Sequence, residues 1–155
     1  VAFVKNSYVG RTFIKPKQSA RESSVHIKLN VLKEVVRGRR VVMVDDSIVR
    51  GTTSGRSVKM LKDAGAKEVH VRISSPPFLY PCYFGTDVPS CDQLIAHNNT
   101  VEQICELIGA DSLGYLDGER LPELIEGDTG YCDACFSGDY PVDPPKEDIR
   151  GDYDK

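Results

Sequence analysis

The chain has 155 residues, of which 40% are hydrophobic, 8% aromatic and 28% charged, and its formal net charge is -3. This length and composition favour one moderate hydrophobic core over two independent domains. The negative charge excludes the basic field that nucleic-acid binding uses, and no apolar stretch is long enough to cross a bilayer. We therefore expect a cytoplasmic protein that binds neither nucleic acid nor membranes.

The first 28 residues begin without an initiator Met or a cap, which is typical of a piece of a longer chain. Residues 1–8 predict the end of a helix or a strand. Residues 8–28 carry two strand-like pieces, VGRTFI and VHIKL, around the polar stretch KPKQSARESS, and predict two antiparallel arms joined by a mobile loop. The polar stretch is equally compatible with a solvated surface loop that has no function.

Residues 29–73 predict the central part of an α/β domain. Apolar residues at helical spacing predict a short helix over 29–36. The β-branched run over 41–44 predicts a strand buried on both faces of a parallel sheet. A helix over 53–64 and a strand over 69–73 follow, which gives the β-α-β order of a parallel sheet.

The second half of the chain alternates short elements with loops. Residues 74–85 contain three prolines and predict an irregular loop on the ligand-binding side of the sheet. A helical turn is predicted over 93–97, an amphipathic helix over 101–108, a strand over 113–116 and a last helix over 121–125.

The C-terminal residues, 127–155, are rich in Gly, Asp and Pro and contain two of the cysteines. Their composition predicts an irregular segment that ends in a disordered tail. The sequence thus divides into a partial α/β domain over 1–126 and this C-terminal segment.

Two carboxylates end the central strand, and a loop of small, hydroxylated residues follows them. Asp45 and Asp46 precede SIVRGTTSG, which leads into the predicted helix. Glycine lets the backbone approach a ligand closely, Ser and Thr hydroxyls donate hydrogen bonds, and N–H groups at a helix start attract an anion. A phosphate is the natural occupant of this loop, whereas the carboxylates would bind sugar hydroxyls or a divalent cation. One ligand with a phosphate, a ribose and a metal-bound diphosphate would satisfy the whole segment.

The alternative interpretation of this segment is a solvated acidic strand end next to an ordinary helix cap. The apolar strand, acidic pair, hydroxyl loop and helix occur together in the order that a binding site needs, which favours the site. The candidate substrate-binding residues are Asp45, Asp46, Ser47, Ile48, Val49, Arg50, Gly51, Thr52, Thr53 and Ser54.

The segment VVMVDDSIVRGTTS resembles the phosphoribosylpyrophosphate (PRPP) binding motif of type I phosphoribosyltransferases. The amino-acid sequence of this segment is similar to that of the same motif in the glutamine PRPP amidotransferase (amidophosphoribosyltransferase) family. The segments FVKNSYVGRTFIKP, SSPPFLYPCYFG, DQLIAHN, IGADSLGYL and YCDACFSGDYP extend the resemblance over most of the chain. The resemblance implies an α/β type I phosphoribosyltransferase fold, Rossmann-like and mostly parallel, with flanking helices and a flexible hairpin hood, truncated at its N-terminal side.

The resemblance also implies a reaction. Ammonia released from glutamine would attack PRPP, diphosphate would leave, and 5-phosphoribosylamine would form in the first step of purine (IMP) biosynthesis. Mg²⁺ held by Asp45 and Asp46 would stabilise the leaving diphosphate, and the same pair would bind the ribose hydroxyls. The backbone amides over 48–54 would bind the 5-phosphate.

Three upstream residues are implied to be catalytic. Lys5, Tyr8 and Arg11 fall on family positions near the ligand and the ammonia path, in a hairpin that closes over the substrate and excludes water. The family's N-terminal glutaminase domain is not in this sequence, so we expect the chain alone to be inactive. The resemblance further implies inhibition by purine nucleotides and a homo-oligomer at full length.

The five cysteines are an odd number, which argues against a simple set of disulfides. Cys132 and Cys135 form a CxxC motif, which by itself is compatible with zinc, a redox dithiol, an iron–sulfur corner or no ligand. Cys82, in a proline-bound loop, is the best third candidate ligand. In the iron–sulfur subfamily, PCYFG and CDACF supply three of the four ligands of a [4Fe–4S] cluster, so the resemblance implies that these three cysteines bind iron and that a fourth ligand lies upstream.

Two other functions remain open at the level of the sequence. The chain could be a non-catalytic module of the same fold that senses PRPP or a nucleotide, or an unrelated zinc module built on the CxxC motif. The presence of both carboxylates and the hydroxyl loop favours an enzyme.

Overall fold

The computed structural model describes residues 2–5, 29–85, 88, 90–124 and 130–144, with Lys5 described by its backbone alone. The strands are β1 (Phe3–Lys5), β2 (Leu29–Val31), β3 (Arg40–Asp45), β4 (Glu68–Ile73) and β5 (Ser112–Tyr115). The α-helices are α1 (Lys33–Val36), α2 (Thr52–Asp63), α3 (Ile95–Asn98), α4 (Val101–Ile108) and α5 (Ala134–Ser137). Two 3₁₀ helices, Cys91–Gln93 and Gly118–Leu124, complete the described elements.

Strands β3, β4 and β5 form a parallel sheet in that order. Val41 lies opposite Val69, and Val71 lies opposite Leu113, so each strand presents apolar residues at the same level. The chain returns from β3 to β4 through α2, and from β4 to β5 through a long loop and α4. The α/β prediction is confirmed, and the strands begin or end within one residue of their predicted bounds.

The core lies on one face of this sheet. Helices α2 and α4 pack against each other and against that face, where Met43, Val71 and Ile104 belong to one buried cluster. Val42 and Val44 point to the other face and are 63% and 72% exposed. The prediction that β3 is buried on both faces is therefore wrong, because the described helices cover only the side on which its alternate residues lie.

Strands β1 and β2 form a separate antiparallel pair, with Phe3 opposite Val31. This pair overturns the predicted helix over 29–36, of which only α1 is helical. The apolar spacing fits a helix, but backbone pairing with β1 holds the first three residues extended. Within residues 1–8, for which the end of a helix or a strand is predicted, Phe3–Lys5 form the strand β1. The predicted antiparallel arms over 8–28 lie outside the described residues.

Helix α4 has the bounds that its sequence predicts. Thr100 accepts a hydrogen bond from the Gln103 amide, and the Gln103 side chain accepts one from the Thr100 amide, which forms a capping box. Gly109 ends the helix in a left-handed conformation with φ of 72°. Helix α2 also matches its prediction to within one residue at each end.

Residues 121–124 of the last predicted helix, over 121–125, belong instead to the 3₁₀ helix Gly118–Leu124, which contains Pro122, and Ile125 lies outside the described residues. A proline inside the segment removes an amide donor and prevents a continuous α-helix. Helix α5 follows and was not predicted. Among the described residues, no helix combines the length and apolar character needed to cross a bilayer.

Candidate functional site

The carboxyl end of β3 places two carboxylates side by side. The Asp46 amide donates to Asp45 Oδ1 at 3.0 Å, and Ser47 Oγ donates to Asp46 Oδ1 at 3.1 Å. Among the described residues, neither carboxylate forms an ion pair, and the second oxygen of each has no hydrogen-bond donor. Two oxygens thus remain available to a cation or to hydroxyl groups of a ligand.

Asp45 has a raised pKa. Partial burial is the main cause, the Asp46 amide opposes it, and the negative charge of Asp46 adds to it. Both unfavourable effects disfavour the charged carboxylate. A bound cation or a set of hydroxyl donors would relieve them, because each would stabilise the negative charge.

The phosphate loop, residues 47–51, leads from these carboxylates to the start of α2. Gly51 caps the helix in the left-handed conformation, with φ of 76°, and no side chain caps its amides. The first hydrogen bond of the helix runs from the Gly55 amide to the Gly51 carbonyl at 2.8 Å. Among the described residues, the amides of Thr52, Thr53 and Ser54 have no acceptor. The end of a twelve-residue helix therefore presents an electropositive set of donors to an anion.

The side chains of the phosphate loop and the helix start differ in exposure. Thr52 and Thr53 are exposed, so their hydroxyls can bind a ligand. Ile48 and Ser54 are 1% and 3% exposed and anchor the segment in the interior. For Ile48 and Ser54, the backbone amide is therefore the group best suited to contact a phosphate.

The loop after β4 lies against the carboxyl end of β3, as predicted for residues 74–85. The Ser74 amide donates to the Asp45 carbonyl at 3.0 Å, and Ser74 Oγ donates to the same oxygen at 3.3 Å. This contact continues the parallel ladder by one residue beyond Ile73. It fixes the strand end that carries the two carboxylates.

The structure describes only part of the predicted catalytic set. Tyr8 and Arg11 lie outside the described residues, and the Lys5 side chain does too, although the backbone of Lys5 ends β1. Their catalytic roles stay predictions.

The loop that carries Cys82 contacts the turn that carries the CxxC motif. The Cys135 carbonyl accepts hydrogen bonds from the amides of Leu79 and Tyr80, at 2.9 and 3.1 Å. Cys82 pairs with Val88, its amide donating to the Val88 carbonyl at 3.1 Å. The loop that carries Cys82 is thereby bound to the turn that carries the CxxC motif.

The pKa of the Cys135 thiol is raised to about 11, chiefly by burial, with smaller contributions from the nearby Cys82 and Cys132 thiols. The three thiols are thus close enough for their charges to affect one another. Among the described residues, no three His, Cys, Asp or Glu side chains are arranged to hold a single metal ion. A cluster of several iron atoms separates its ligand sulfurs more widely than a single ion does, so this finding does not test the iron–sulfur centre, which stays a prediction.

A further contact to the phosphate loop was not predicted. Gln93 Oε1 accepts a hydrogen bond from Arg50 Nη2, and the Ile95 amide donates to the Val49 carbonyl at 2.9 Å. The sequence carries no local signal for these contacts, because the partners lie more than forty positions apart. The predicted helical turn over 93–97 is confirmed in outline, but its link to the loop depends on the folded structure.

Comparisons with known proteins find similar chains. The amidophosphoribosyltransferase of Archaeoglobus fulgidus is 60% identical over 150 residues, which cover 95% of this chain and 33% of the relative. The structure of glutamine PRPP amidotransferase from B. subtilis complexed with ADP and GMP is 51% identical, with a TM-score of 0.78 over 95% of this chain and 33% of that one. The chain is similar to amidophosphoribosyltransferases.

This similarity extends to plants, since the chloroplastic amidophosphoribosyltransferase 2 of Arabidopsis thaliana is 49% identical over 97% of this chain and 27% of the relative. The chain spans about a third of the length of the amidophosphoribosyltransferases that it matches. No family model matches the chain.

Proposed function

We propose that this chain forms the PRPP-binding part of an amidophosphoribosyltransferase. As part of a longer protein, it would transfer the phosphoribosyl group of PRPP to ammonia released from glutamine and form 5-phosphoribosylamine, in the first step of purine biosynthesis. The observation that carries the proposal is the placement of Asp45 and Asp46 directly before the amides at the start of α2. The similarity to amidophosphoribosyltransferases supports it over nearly the whole chain.

Substrate binding follows from the groups at the phosphate loop. The 5-phosphate of PRPP would accept hydrogen bonds from the amides of Thr52, Thr53 and Ser54, which have no acceptor among the described residues. The exposed hydroxyls of Thr52 and Thr53 would donate to the same phosphate. The ribose hydroxyls would donate to the available carboxylate oxygens of Asp45 and Asp46.

Magnesium fits the same carboxylates. Each has one oxygen without a donor among the described residues, and oxygen atoms are the ligands that Mg²⁺ prefers. Magnesium usually binds one or two carboxylates together with substrate phosphates, and when bound it neutralises the charge of a leaving diphosphate. The two carboxylates would orient the ribose and support the positive charge that develops on its ring.

The remaining catalytic groups belong to the proposal as well. Lys5, Tyr8 and Arg11 would lie near the ligand and the path of ammonia, in a hairpin that shields the reacting carbon from water. A glutaminase domain elsewhere in the protein would supply the ammonia. Purine nucleotides would inhibit the enzyme by occupying the phosphate site, in line with the ADP and GMP found in the B. subtilis relative.

An iron–sulfur centre is proposed for Cys82, Cys132 and Cys135, with a fourth ligand from another part of the protein. The backbone contacts of Cys135 with the loop before Cys82, and the mutual effect of the thiol charges, support this assignment. The role of the centre would be structural, because transfer of a phosphoribosyl group to ammonia is a substitution that changes no oxidation state. It would hold the C-terminal segment on the α/β domain.

The test is a calorimetric titration of the protein at its natural length with PRPP, with and without Mg²⁺. Magnesium-dependent binding at a single site is expected, and formation of 5-phosphoribosylamine from PRPP and ammonia is expected in the same preparation. Absence of binding at saturating PRPP would overturn the proposal. Binding without turnover would identify the chain as a PRPP-sensing module instead.

A further inference from the structure

The phosphate loop rests on a turn formed by residues 93–95. The Ile95 amide donates to the Val49 carbonyl at 2.9 Å, and Gln93 Oε1 accepts from Arg50 Nη2. One contact fixes the backbone of the loop, and the other fixes its exposed guanidinium group. The turn is distant in sequence and contributes none of the predicted binding residues.

The side chain of Ile95 also shapes the loop at its most constrained position. A Cβ atom placed on Gly51 would lie 2.6 Å from Ile95 Cδ1. Gly51 adopts a positive φ of 76° at the start of α2, which is the main reason that this position needs glycine. The backbone of Gly51 thus lies close to Ile95, directly before the amides of Thr52, Thr53 and Ser54.

The turn is itself well anchored. Leu94 is 1% exposed, and its amide donates to the Cys91 carbonyl at 3.0 Å. Asn99 Nδ2 donates to the Ile95 carbonyl at 2.8 Å and closes the other side of the turn. A buried residue at its centre and hydrogen bonds on both sides hold the turn in one conformation next to the phosphate loop.

We infer that Gln93 and Ile95 are positioning residues for PRPP binding. Gln93 holds the guanidinium of Arg50 beside the phosphate loop, where it would meet the phosphates of the substrate. Ile95 holds the loop backbone so that the amides at the start of α2 point to one place. This inference rests on the proposed function, because it names residues that prepare the same site.

The effect is expected in binding rather than in chemistry. Without Gln93, the Arg50 side chain would have to be ordered when the substrate binds. This entropy cost weakens binding of the substrate and of the transition state by the same amount. Loss of such uniform binding raises KM and leaves kcat unchanged. A general loss of structure would instead lower the melting temperature and kcat together.

The first experiment is a double-mutant cycle on the protein at its natural length, with KM for PRPP and kcat as readouts. Gln93→Ala is expected to raise KM about fivefold, the value of one net hydrogen bond, with kcat unchanged. In an Arg50→Ala background the same substitution should have no further effect, because Gln93 acts through Arg50. Gln93→Glu keeps an acceptor oxygen and should keep KM near that of the wild type.

Asp92→Ala is the matched control, since Asp92 is exposed in the same 3₁₀ helix and lies next to Gln93. Its KM should equal that of the wild type. An unchanged KM in Gln93→Ala, or an equal rise in the Arg50→Ala background, would overturn the role of Gln93.

The second experiment tests Ile95 directly. Ile95→Ala removes the side chain that lies against Gly51 and is expected to raise KM for PRPP with kcat unchanged. An unchanged KM in Ile95→Ala would overturn the role of Ile95. If the wild-type protein fails to bind PRPP, the proposed function fails; if it binds and these variants behave like the wild type, only the positioning role fails.

Discussion

Asp111 and Val69 exchange two hydrogen bonds at the amino end of β4. The Val69 amide donates to Asp111 Oδ2 at 2.6 Å, and the Asp111 amide donates to the Val69 carbonyl at 2.9 Å. Lys62 at the end of α2 forms an ion pair with the same carboxylate oxygen at 3.2 Å. One aspartate thus joins the strand next to β3 to the helix that begins at the phosphate loop.

The pKa of Asp111 is lowered, chiefly by the hydrogen bond from the Val69 amide, with Lys62 contributing less. A carboxyl whose pKa is lower in the folded than in the unfolded state stabilises the fold above its unfolded pKa, about 4, and loses this effect as the pH falls. Asp111→Ala also leaves the buried Val69 amide without its acceptor. At pH 7 we expect Asp111→Ala to lower the free energy of unfolding by about 1 to 3 kcal/mol. Below pH 4 this difference from the wild type should become smaller.

Urea unfolding at pH 7 and pH 3 measures this difference. Glu106→Ala is the control, because Glu106 is an exposed carboxylate on α4. A loss of equal size at both pH values would show that the Asp111 charge does not contribute.

Asp46→Asn tests the acidic pair. Asparagine keeps the oxygen that accepts from Ser47 Oγ, and Asp46 is exposed, so the fold should be unchanged. Loss of the negative charge should raise the dissociation constant of PRPP in the presence of Mg²⁺ on the order of tenfold. Calorimetry at several Mg²⁺ concentrations measures this dissociation constant. Asp63→Asn is the control, because Asp63 is also an exposed carboxylate. Wild-type affinity in Asp46→Asn would contradict the assigned role.

Local sequence signals were sufficient where a segment determines its own structure. Thr100 and Gln103 cap α4, and Gly109 ends it, so its bounds could be predicted from the residues alone. The order of strand, carboxylates, hydroxyl loop and helix likewise predicted which groups lie together at the end of β3. These features depend on neighbours a few positions apart.

Features that depend on distant partners could not be predicted. Residues 29–31 are a strand because Phe3–Lys5 pairs with them, although their spacing is that of a helix. Val42 and Val44 are as apolar as the buried residues of β3, and only the placement of α2 and α4 decides which face is covered. The contact of Gln93 with Arg50 is of the same kind.

Thr53→Val tests the hydroxyl set of the phosphate site. The substitution removes one donor to the phosphate and keeps the shape of the side chain, so PRPP binding should weaken by about 1 to 3 kcal/mol. Thr53→Ser retains the hydroxyl and serves as the control. Because Thr53 is exposed, the melting temperature of both variants should match that of the wild type. If Thr53→Val binds as tightly as Thr53→Ser, the hydroxyl does not contact the phosphate.

Removal of iron tests the proposed cluster. Chelation should release iron and sulfide and lower the melting temperature, because the centre would join the Cys82 loop to the CxxC turn. Cys135→Ser should lack the cluster, whereas Cys105→Ser should keep it, since Cys105 lies on α4 and its thiol donates to the Ala110 carbonyl. An unchanged melting temperature after chelation would contradict a structural role.

Tyr115, at the end of β5, has a buried hydroxyl without a hydrogen-bond partner among the described residues. Burial raises its pKa to about 12. Tyr115→Phe removes this unsatisfied group and should leave the free energy of unfolding unchanged or raise it by about 1 kcal/mol. Tyr140→Phe is the matched comparison. It should lower the free energy of unfolding, because the Tyr140 hydroxyl donates to the Pro81 carbonyl at 2.8 Å. Denaturant unfolding of both variants measures the contrast, and a destabilised Tyr115→Phe would show that the hydroxyl has a partner in the complete protein.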